Sequence, residues 1–178
     1  MAVVRVSNSM TVVRAETAED YPAVRHVNEL AFGRPDEAVL VDKLRAVADP
    51  QISLVAVEDG KVVGHIFFSP VSIEISDAAS LMLGLGPLAV VPEYQKQGLG
   101  SQLVREGLKA CQSIGCNVVV VLGHPEYYPR FGFVPAKQKD LSCEWPVPDE
   151  AFMVAELKPE ALGGRRGLVK YRPEFSDV

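Results

Sequence analysis

The stretch 95–101 holds the residues whose types and spacing best suit ligand chemistry, because two glycines stand where an apolar segment gives way to an amphipathic one. The first N–H groups of a helix have no partner within it and carry a partial positive charge, and glycines let an anion approach that backbone closely. Gly98 and Gly100 therefore predict a phosphate cradle, to which Lys96 would add positive charge. The alternative is a tight strand-to-helix turn that binds nothing, which is the commoner role of two glycines at this spacing.

Two other phosphate-binding patterns do not fit. No Gly-Lys-Ser or Gly-Lys-Thr sequence follows the glycines, so the chain lacks the pattern of P-loop nucleotide binders. Gly84, Gly86 and Ala89 have the spacing of a dinucleotide-binding turn, but they lie inside a strand-like segment and do not open a helix. The sequence therefore favours neither the P-loop fold nor the dinucleotide-binding fold.

The cradle needs a strand before it and a helix after it, and the sequence predicts both. Residues 81–91 are apolar throughout, as in a strand buried on both faces, but Pro87 cannot donate a ladder hydrogen bond, so we expect the pairing to be interrupted there. A helix is predicted over 98–114, with Ile114 on its apolar side. An aliphatic strand over 117–122 then completes a βαβ unit with parallel strands.

A hairpin precedes this unit. Two apolar, β-branched runs flank Asp59 and Gly60, and both turn residues tolerate a positive φ, which a tight hairpin turn requires. The second strand is expected to continue past Pro70 as far as Ile75, because apolar residues alternate with polar ones there.

The rest of the chain predicts helices and strands around this centre. Apolar residues at helical spacing over 24–31 and 39–47 predict two helices separated by a short break. Two later strands, 152–157 and 168–172, would complete the sheet. The sequence therefore predicts a single domain over residues 1–178, of the α/β class, with one mixed sheet flanked by helices.

Composition and charge argue against several classes of function. The chain has 178 residues, of which 48% are hydrophobic and 23% charged, values typical of a globular domain. A net charge of -5 without any Lys- or Arg-rich run disfavours nucleic acid as a partner. No apolar run approaches the roughly 20 residues that cross a bilayer, and residues 1–10 lack a signal-peptide pattern, so we expect no membrane partner and a cytoplasmic location. Cys111, Cys116 and Cys143 lack CxxC spacing and predict free thiols.

Gln95, Gly98 and Gly100 meet the pattern Q/R-x-x-G-x-G/A, and on these residues the sequence resembles the GNAT acetyltransferase superfamily. A second resemblance lies about thirty residues later, where Tyr128 begins the sequence YPRFGF, similar to the family's Tyr-x-x-x-Gly-Phe segment. The longer run 122–133 is similar to the YhbS-like branch of that superfamily. The Asn that many members carry before the tyrosine is absent.

The resemblance covers residues 11–135 best and implies an acyl-CoA N-acyltransferase fold, whose C-terminal strands, within 151–172, complete the sheet. In that fold two parallel strands splay apart, and the gap takes acetyl-CoA as co-substrate without a metal. An N–H group near Leu88 or Val90 would stabilise the thioester oxyanion. The resemblance implies that the pantetheine arm contacts the bulged strand and that the pyrophosphate contacts the cradle. It also implies that Tyr127 lines the channel. The expected binding residues are therefore Leu88, Ala89, Val90, Gln95, Lys96, Gln97, Gly98, Leu99, Gly100, Ser101 and Tyr127.

The resemblance also assigns roles in proton transfer. Tyr128 occupies the position of the family's acid, and a phenol with a pKa near 10 stays protonated at pH 7 while it protonates a leaving thiolate. The alternative is that Tyr127 and Tyr128 are packing aromatics. His65 lies in an apolar strand and is expected to be a hydrogen-bonded core residue. The base stays open among a chain of waters, Glu29, Glu74, Glu126 and His124.

The implied function is transfer of an acetyl group from acetyl-CoA to a primary amine of a small molecule or peptide, with a homodimer as one expected state. The alternatives are a CoA-binding sensor without catalysis and another nucleotide or phosphate binder that uses the same turn. Trp145 is either a wall of the acceptor pocket or a loop anchor. The acceptor itself stays open, since acidic residues of the C-terminal region favour a cationic amine only weakly: Asp140, Glu144, Asp149 and Glu150.

Overall fold

The structure, a computed structural model, describes residues 11–74 and 80–178. Within these ranges the chain forms three α-helices and nine β-strands, joined by loops and short 3₁₀ turns. Their order is β1 (Thr11–Ala15), α1 (Tyr21–Phe32), α2 (Asp36–Val47), β2 (Ile52–Glu58), β3 (Lys61–Ile73), β4 (Met82–Val90), α3 (Leu99–Ser113), β5 (Val118–Leu122), β6 (Val134–Pro135), β7 (Leu141–Cys143), β8 (Phe152–Glu156) and β9 (Gly167–Lys170).

The strands form a mixed sheet in the order β1-β2-β3-β4-β5-β8-β6. Neighbours along this order are antiparallel except β4 and β5, which are parallel and connected through α3. Strand β9 pairs with the end of β3 and with β7. The α/β class, the mixed sheet and the βαβ unit predicted from the sequence are confirmed.

The hairpin of β2 and β3 also forms as predicted. Asp59 and Gly60 have φ of 50° and 79°, the left-handed values that a tight hairpin turn requires. Strand β3 continues past Pro70 to Ile73. The expected continuation to Ile75 lies outside the described residues.

The helices cover both faces of the sheet. Successive strand residues point to opposite faces. Phe67 packs in a cluster with α1 and α2, whereas Ile66 and Phe68 pack in a cluster with α3. Helix α3 therefore lies on one face, and the pair α1 and α2 lies on the other.

Helix α3 approaches the sheet closely because of a glycine. A Cβ placed on Gly107 would lie 2.5 Å from the Phe68 ring, so a larger residue would push the helix away. The prediction that Ile114 belongs to the buried side is wrong. The helix ends at Ser113, and Ile114 is 46% exposed.

Helical spacing misplaced some side chains of α1 and α2. Leu30, Val39 and Val47 are exposed, whereas Asn28 and Glu37 are buried. Hydrogen bonds lower the cost of burying Glu37 and the amide nitrogen of Asn28, whereas the Asn28 side-chain oxygen has no partner among the described residues. The Asn28 amide donates to the carbonyl oxygen of residue 24 at 3.0 Å, and the carboxylate of Glu37 accepts from a guanidinium three residues before it.

Candidate functional site

The pairing of β4 changes halfway along the strand. On one side β4 pairs with β3 over most of its length, whereas on the other side it pairs with β5 only from Met82 to Leu85. At the change the register with β3 shifts, so that Phe67 stands opposite both Gly86 and Pro87, which is a bulge. The prediction of interrupted pairing at Pro87 is confirmed. Within the described residues, β4 and β5 separate beyond Leu85 and leave a wedge-shaped gap.

Backbone groups of β4 face this gap. The N–H of Val91 donates to a carbonyl oxygen of β3 at 3.0 Å, so Val91 is a hydrogen-bonded position of the β3–β4 pair. Such positions alternate along antiparallel strands. Ala89 is therefore directed at β3, and the N–H and C=O groups of Leu88 and Val90 are directed at the gap. The carbonyl oxygen of Val90 accepts a hydrogen bond from the Gln95 side chain at 2.9 Å, as expected of a group left free by the sheet.

The N-terminus of α3 adjoins the gap. Gly98 has a left-handed φ of 86°, and its carbonyl oxygen accepts the first helical hydrogen bond from Gln102 at 3.0 Å. The N–H groups of Leu99, Gly100 and Ser101 belong to the first turn, and none of them has an acceptor among the described residues. They carry the partial positive charge of the helix end, which suits an anion.

A cleft of about 640 Å³, called the first cleft below, joins the gap to this helix end. All the predicted site residues line it except Ala89, Gln97 and Leu99, and two further residues, His124 and Arg130, line it as well. The complete lining is Leu88, Val90, Gln95, Lys96, Gly98, Gly100, Ser101, His124, Tyr127, Tyr128 and Arg130.

Three predicted site residues lie outside this lining for identifiable reasons. Ala89 is buried and its backbone is used by β3. The side chain of Leu99 is buried in the core, so only its N–H group is available to a ligand. The side chain of Gln97 turns away and donates to the carbonyl oxygen of Glu93 at 3.2 Å.

The charge of the first cleft suits phosphate groups. Lys96 and Arg130 line it, and its described lining contains no carboxylate. The Arg130 guanidinium lies 4.7 Å from the centre of the Tyr127 ring and donates to the Tyr127 carbonyl oxygen at 2.9 Å, which orients it. Arg130 belongs to the sequence YPRFGF, but no role was predicted for it. Its position three residues after an aromatic that faces the cradle was the available signal.

Tyr127 connects the loop after β5 to the first turn of α3. Its hydroxyl lies 3.1 Å from the hydroxyl oxygen of Ser101, within hydrogen-bond distance. A Cβ on Gly100 would lie 3.1 Å from the same hydroxyl, so the glycine makes room for the tyrosine against the helix. Tyr127 therefore lies beside the start of α3, and its role in lining a CoA channel stays a prediction.

Tyr128 is almost completely buried, 7% exposed, at the inner end of the first cleft. Phe133 packs edge-on against its ring at 5.7 Å, and Tyr127 does so at 5.1 Å. A Cβ on Gly123 would lie 2.4 Å from this ring, so only glycine fits there. Burial raises the pKa of the Tyr128 phenol, and the neighbouring Tyr127 raises it further. Tyr128 thus stays a proton donor over the physiological pH range.

Of the four side chains named as candidate bases, His124 lines the first cleft. Glu29 instead forms an ion pair with Arg25 at 3.2 Å, and Glu74 and Glu126 are exposed outside the lining. The carbonyl oxygen of His124 accepts the N–H of Tyr127 at 3.1 Å, which fixes this histidine beside the tyrosine pair.

His65 is a core residue, as predicted. It is fully buried, with Asn28 at 3.2 Å from Nδ1 and Ser53 at 2.8 Å from Nε2. Burial, and to a smaller extent the charge of Arg45, lowers the pKa of His65 to about 3. The imidazole is therefore neutral at physiological pH and serves to join α1, β2 and β3.

Three other features of the described residues bear on the chemistry. Cys111 and Cys116 are buried free thiols and Cys143 is a half-buried one, so the prediction of free cysteines is confirmed. Residues 11–74 and 80–178 contain no group of three or more His, Cys, Asp or Glu side chains that could hold a metal ion. None of the helices in these ranges has the length and apolar character needed to span a bilayer.

Comparison with known families identifies the region that carries this site. Residues 12–136 match the family model of the acetyltransferase (GNAT) domain. The chain is 41% identical over 165 residues to the uncharacterized N-acetyltransferase YhbS of Escherichia coli (strain K12), covering 92% of this chain and 98% of that protein. It is 43% identical over 134 residues to the uncharacterized N-acetyltransferase YjhQ of the same strain, covering 74% of each.

Two crystal structures with bound CoA species are similar in fold. YhbS of Escherichia coli in complex with CoA superposes with a TM-score of 0.88 at 39% identity, covering 94% of this chain and 93% of that one. A GNAT family acetyltransferase of Brucella melitensis in complex with acetyl-CoA gives a TM-score of 0.76 at 35% identity, covering 93% and 98%. Both similarities cover a larger share of the chain than the family model does.

Proposed function

The chain belongs to the GNAT acetyltransferase family, and from this premise we propose that it transfers an acetyl group from acetyl-CoA to a primary amine. The observation that carries the proposal is the free edge of β4 beside the N-terminus of α3. The N–H and C=O groups of Leu88 and the N–H of Val90 suit the amides of a pantetheine arm, and the free N–H groups of the first helical turn suit a pyrophosphate.

The reaction would be direct attack in a ternary complex. The amine nitrogen bonds to the thioester carbonyl carbon, and the carbonyl oxygen takes up negative charge. The C–S bond then breaks and leaves the amide and the CoA thiolate. The N–H of Leu88 or Val90, directed at the gap, is the group placed to stabilise the oxygen while that charge develops.

Tyr128 is the proposed acid. Burial raises its pKa, so the hydroxyl is protonated at physiological pH. It would donate its proton to the sulfur as the C–S bond breaks and the sulfur takes up negative charge. Because Tyr128 lines the inner end of the first cleft while Tyr127 reaches the helix end, Tyr128 is the one of the pair proposed to face the thioester.

His124 is the proposed base. It is the candidate that lines the first cleft, and it stands four residues before the acid in the same loop. A neutral imidazole would accept the proton that the attacking amine loses, directly or through one water. We expect His124→Ala to lower kcat and imidazole in the buffer to restore part of it, which a merely structural defect would not allow.

The test is release of the CoA thiol from acetyl-CoA in the presence of a panel of primary amines, with mass spectrometry of the products. Amine-dependent thiol release and an acetylated amine are the expected result. Tight binding of acetyl-CoA without turnover on any amine would contradict catalysis and favour the sensor. A larger rise in melting temperature with ATP or NAD than with acetyl-CoA would instead favour another phosphate binder.

A further inference from the structure

A second cleft, of about 460 Å³, meets the first cleft at the proposed reaction centre. The two clefts share Leu88, His124 and Tyr128, which are the proposed oxyanion donor, base and acid. Elsewhere the second cleft is lined by α1, α2 and the C-terminal segment, which do not line the first cleft. A molecule bound there would reach the thioester without displacing the CoA. Its volume is within the range usual for small-molecule sites.

The walls of the second cleft are aromatic and apolar. Trp145, Tyr171 and Phe175 form a continuous series of rings, with centroids 5.0 Å and 5.2 Å apart. Phe32, the last residue of α1, and Leu40 of α2 also line the second cleft. Such a surface gains free energy by covering an apolar body and offers flat faces to an aromatic ring.

The carboxylate and guanidinium side chains of the second cleft pair with each other. Among the side chains that line it there is one carboxylate, Glu37, which is 5% exposed, and one guanidinium, Arg34, whose Nε donates to both carboxylate oxygens at 3.0 Å and 3.1 Å. The acidic residues that weakly favoured a cationic acceptor all lie outside this lining: Asp140, Glu144, Asp149 and Glu150. An extra positive charge on the bound molecule would therefore lose water without gaining a free carboxylate.

We propose, on the basis of the proposed acetyl transfer, that the second cleft binds the acceptor and selects an amine with a single amino group on an aromatic body, the chemistry of an arylalkylamine. The aromatic body lies against the rings of Trp145, Tyr171 and Phe175. The amino group, deprotonated at His124, points towards the thioester. Polycationic amines are poor acceptors, because the one buried carboxylate is already paired with Arg34.

The probes are 2-phenylethylamine as the arylalkylamine and spermidine as the polycation, compared by kcat/KM under saturating acetyl-CoA. We expect kcat/KM for 2-phenylethylamine to exceed that for spermidine at least about tenfold. A parallel measurement follows binding of each amine to the protein loaded with CoA, which cannot transfer an acetyl group. This second measurement reports on the cleft independently of catalysis.

Helix α1 supplies a matched pair of variants. Phe32 and Tyr21 are its last and first residues, and each is 39% exposed, so truncation of either leaves the core intact. Phe32 lines the second cleft and Tyr21 does not. We expect Phe32→Ala to raise KM for 2-phenylethylamine about five- to tenfold with acetyl-CoA affinity unchanged, and Tyr21→Ala to leave both values as they are.

Arg34→Gln tests the charge argument. It frees the carboxylate of Glu37, so the preference for 2-phenylethylamine over spermidine should fall about tenfold. Were this variant to unfold, the Phe32→Ala comparison and the wild-type preference would still decide the question.

Spermidine used as well as or better than 2-phenylethylamine would overturn the inference and leave the proposed transferase function intact. So would an equal KM for the Phe32→Ala and Tyr21→Ala variants. If 2-phenylethylamine binds the CoA-loaded protein but is not acetylated, the transferase function fails and the ligand class of the cleft stands. If it neither binds nor reacts, the inference is wrong.

Discussion

The first cleft offers a ligand backbone groups at the edge of β4 and at the start of α3, whereas the second cleft offers mainly side chains. Around the first cleft, the free amides of β4 and of the α3 N-terminus face the site, and the glycines between them keep Cβ atoms away. Around the second, the walls are rings contributed by α1 and by segments far apart in the sequence. At the start of α3, the first cleft should therefore be more sensitive to an added side chain than to a trimmed one, whereas the aromatic wall of the second cleft should be sensitive to the loss of a ring.

The largest expected effect comes from adding a side chain to the first cleft. Gly98 and Gly115 stand at the two ends of α3 with φ of 86° and 82°, and a Cβ on either would meet nothing within 4 Å. A tryptophan therefore strains both positions similarly, but only at 98 does it enter the first cleft. We expect Gly98→Trp to weaken acetyl-CoA binding by at least about 100-fold in calorimetry. Gly115→Trp is the control, and equal affinities for the two variants would contradict the cradle.

Removal of one hydroxyl should separate chemistry from binding. Tyr128→Phe keeps the packed ring but removes the proposed proton donor, so kcat should fall about 100-fold while the Kd for acetyl-CoA changes less than about twofold. In the wild type, the raised pKa of Tyr128 predicts no loss of kcat up to about pH 9, since the donor stays protonated. Tyr21→Phe, far from both clefts, controls for loss of a phenol. A normal kcat for Tyr128→Phe would place the acid elsewhere.

The stability of the fold depends on pH through His65, which lines neither cleft. His65 has a folded pKa of about 3, below its unfolded value of 6.5, so the unfolded chain binds more protons between these two pH values. The free energy of unfolding should therefore fall by about 1.4 kcal/mol for each pH unit below 6.5, that is, about tenfold in the unfolding equilibrium. Urea denaturation between pH 5 and 7 measures the slope, and His65→Gln should flatten it.

The acid range below about pH 4 has a second contributor, which is why the measurement stops at pH 5. The hydrogen-bonded guanidinium of Arg14 holds the pKa of Asp20 well below its usual range. The stability that this pair provides is present above the unfolded pKa of Asp and is lost as the pH falls further. An unchanged slope in the His65→Gln variant above pH 5 would show that another group titrates in that window.

The smallest effect is expected from trimming a side chain in the first cleft. Lys96 is exposed and supplies charge without a fixed geometry, so Lys96→Ala should weaken acetyl-CoA binding only about three- to fivefold, and less at high salt. Lys109→Ala, on the exposed side of α3, is the control. A loss as large as that of Gly98→Trp would mean that side-chain charge, and not the backbone, dominates this site.

The difference between the two clefts also explains which parts of the site could be predicted from the sequence. The residues that line the first cleft come from two short stretches of the sequence. Pro87 in an apolar strand predicts the interrupted pairing that opens this cleft. The sequence alone did not give the direction of individual amides, so Ala89 was expected in a cleft that it does not line. The hydrogen bond from the Val91 N–H to β3 was needed to tell which backbone groups of β4 face the gap.

The second cleft was largely invisible in the sequence. Its walls come from α1, α2, the loop at Trp145 and the C-terminal segment, and no spacing rule relates these parts. Helical periodicity placed Val39 and Val47 inside, but tertiary packing buried Glu37 instead, held by Arg34. Trp145 was named as a candidate wall, but its companions Tyr171 and Phe175 could be recognised only once the chain was folded.

The contact between Gly123 and Tyr128 has a consequence for how this protein can change by mutation. Any larger residue at 123 must move the buried ring of Tyr128, since the first added carbon would lie 2.4 Å from it. A single substitution would thus displace Tyr128, the proposed acid, while the amides of β4 and the start of α3 stay in place. Under the proposed function, a protein with this substitution would keep the groups that suit CoA and lose acetyl transfer.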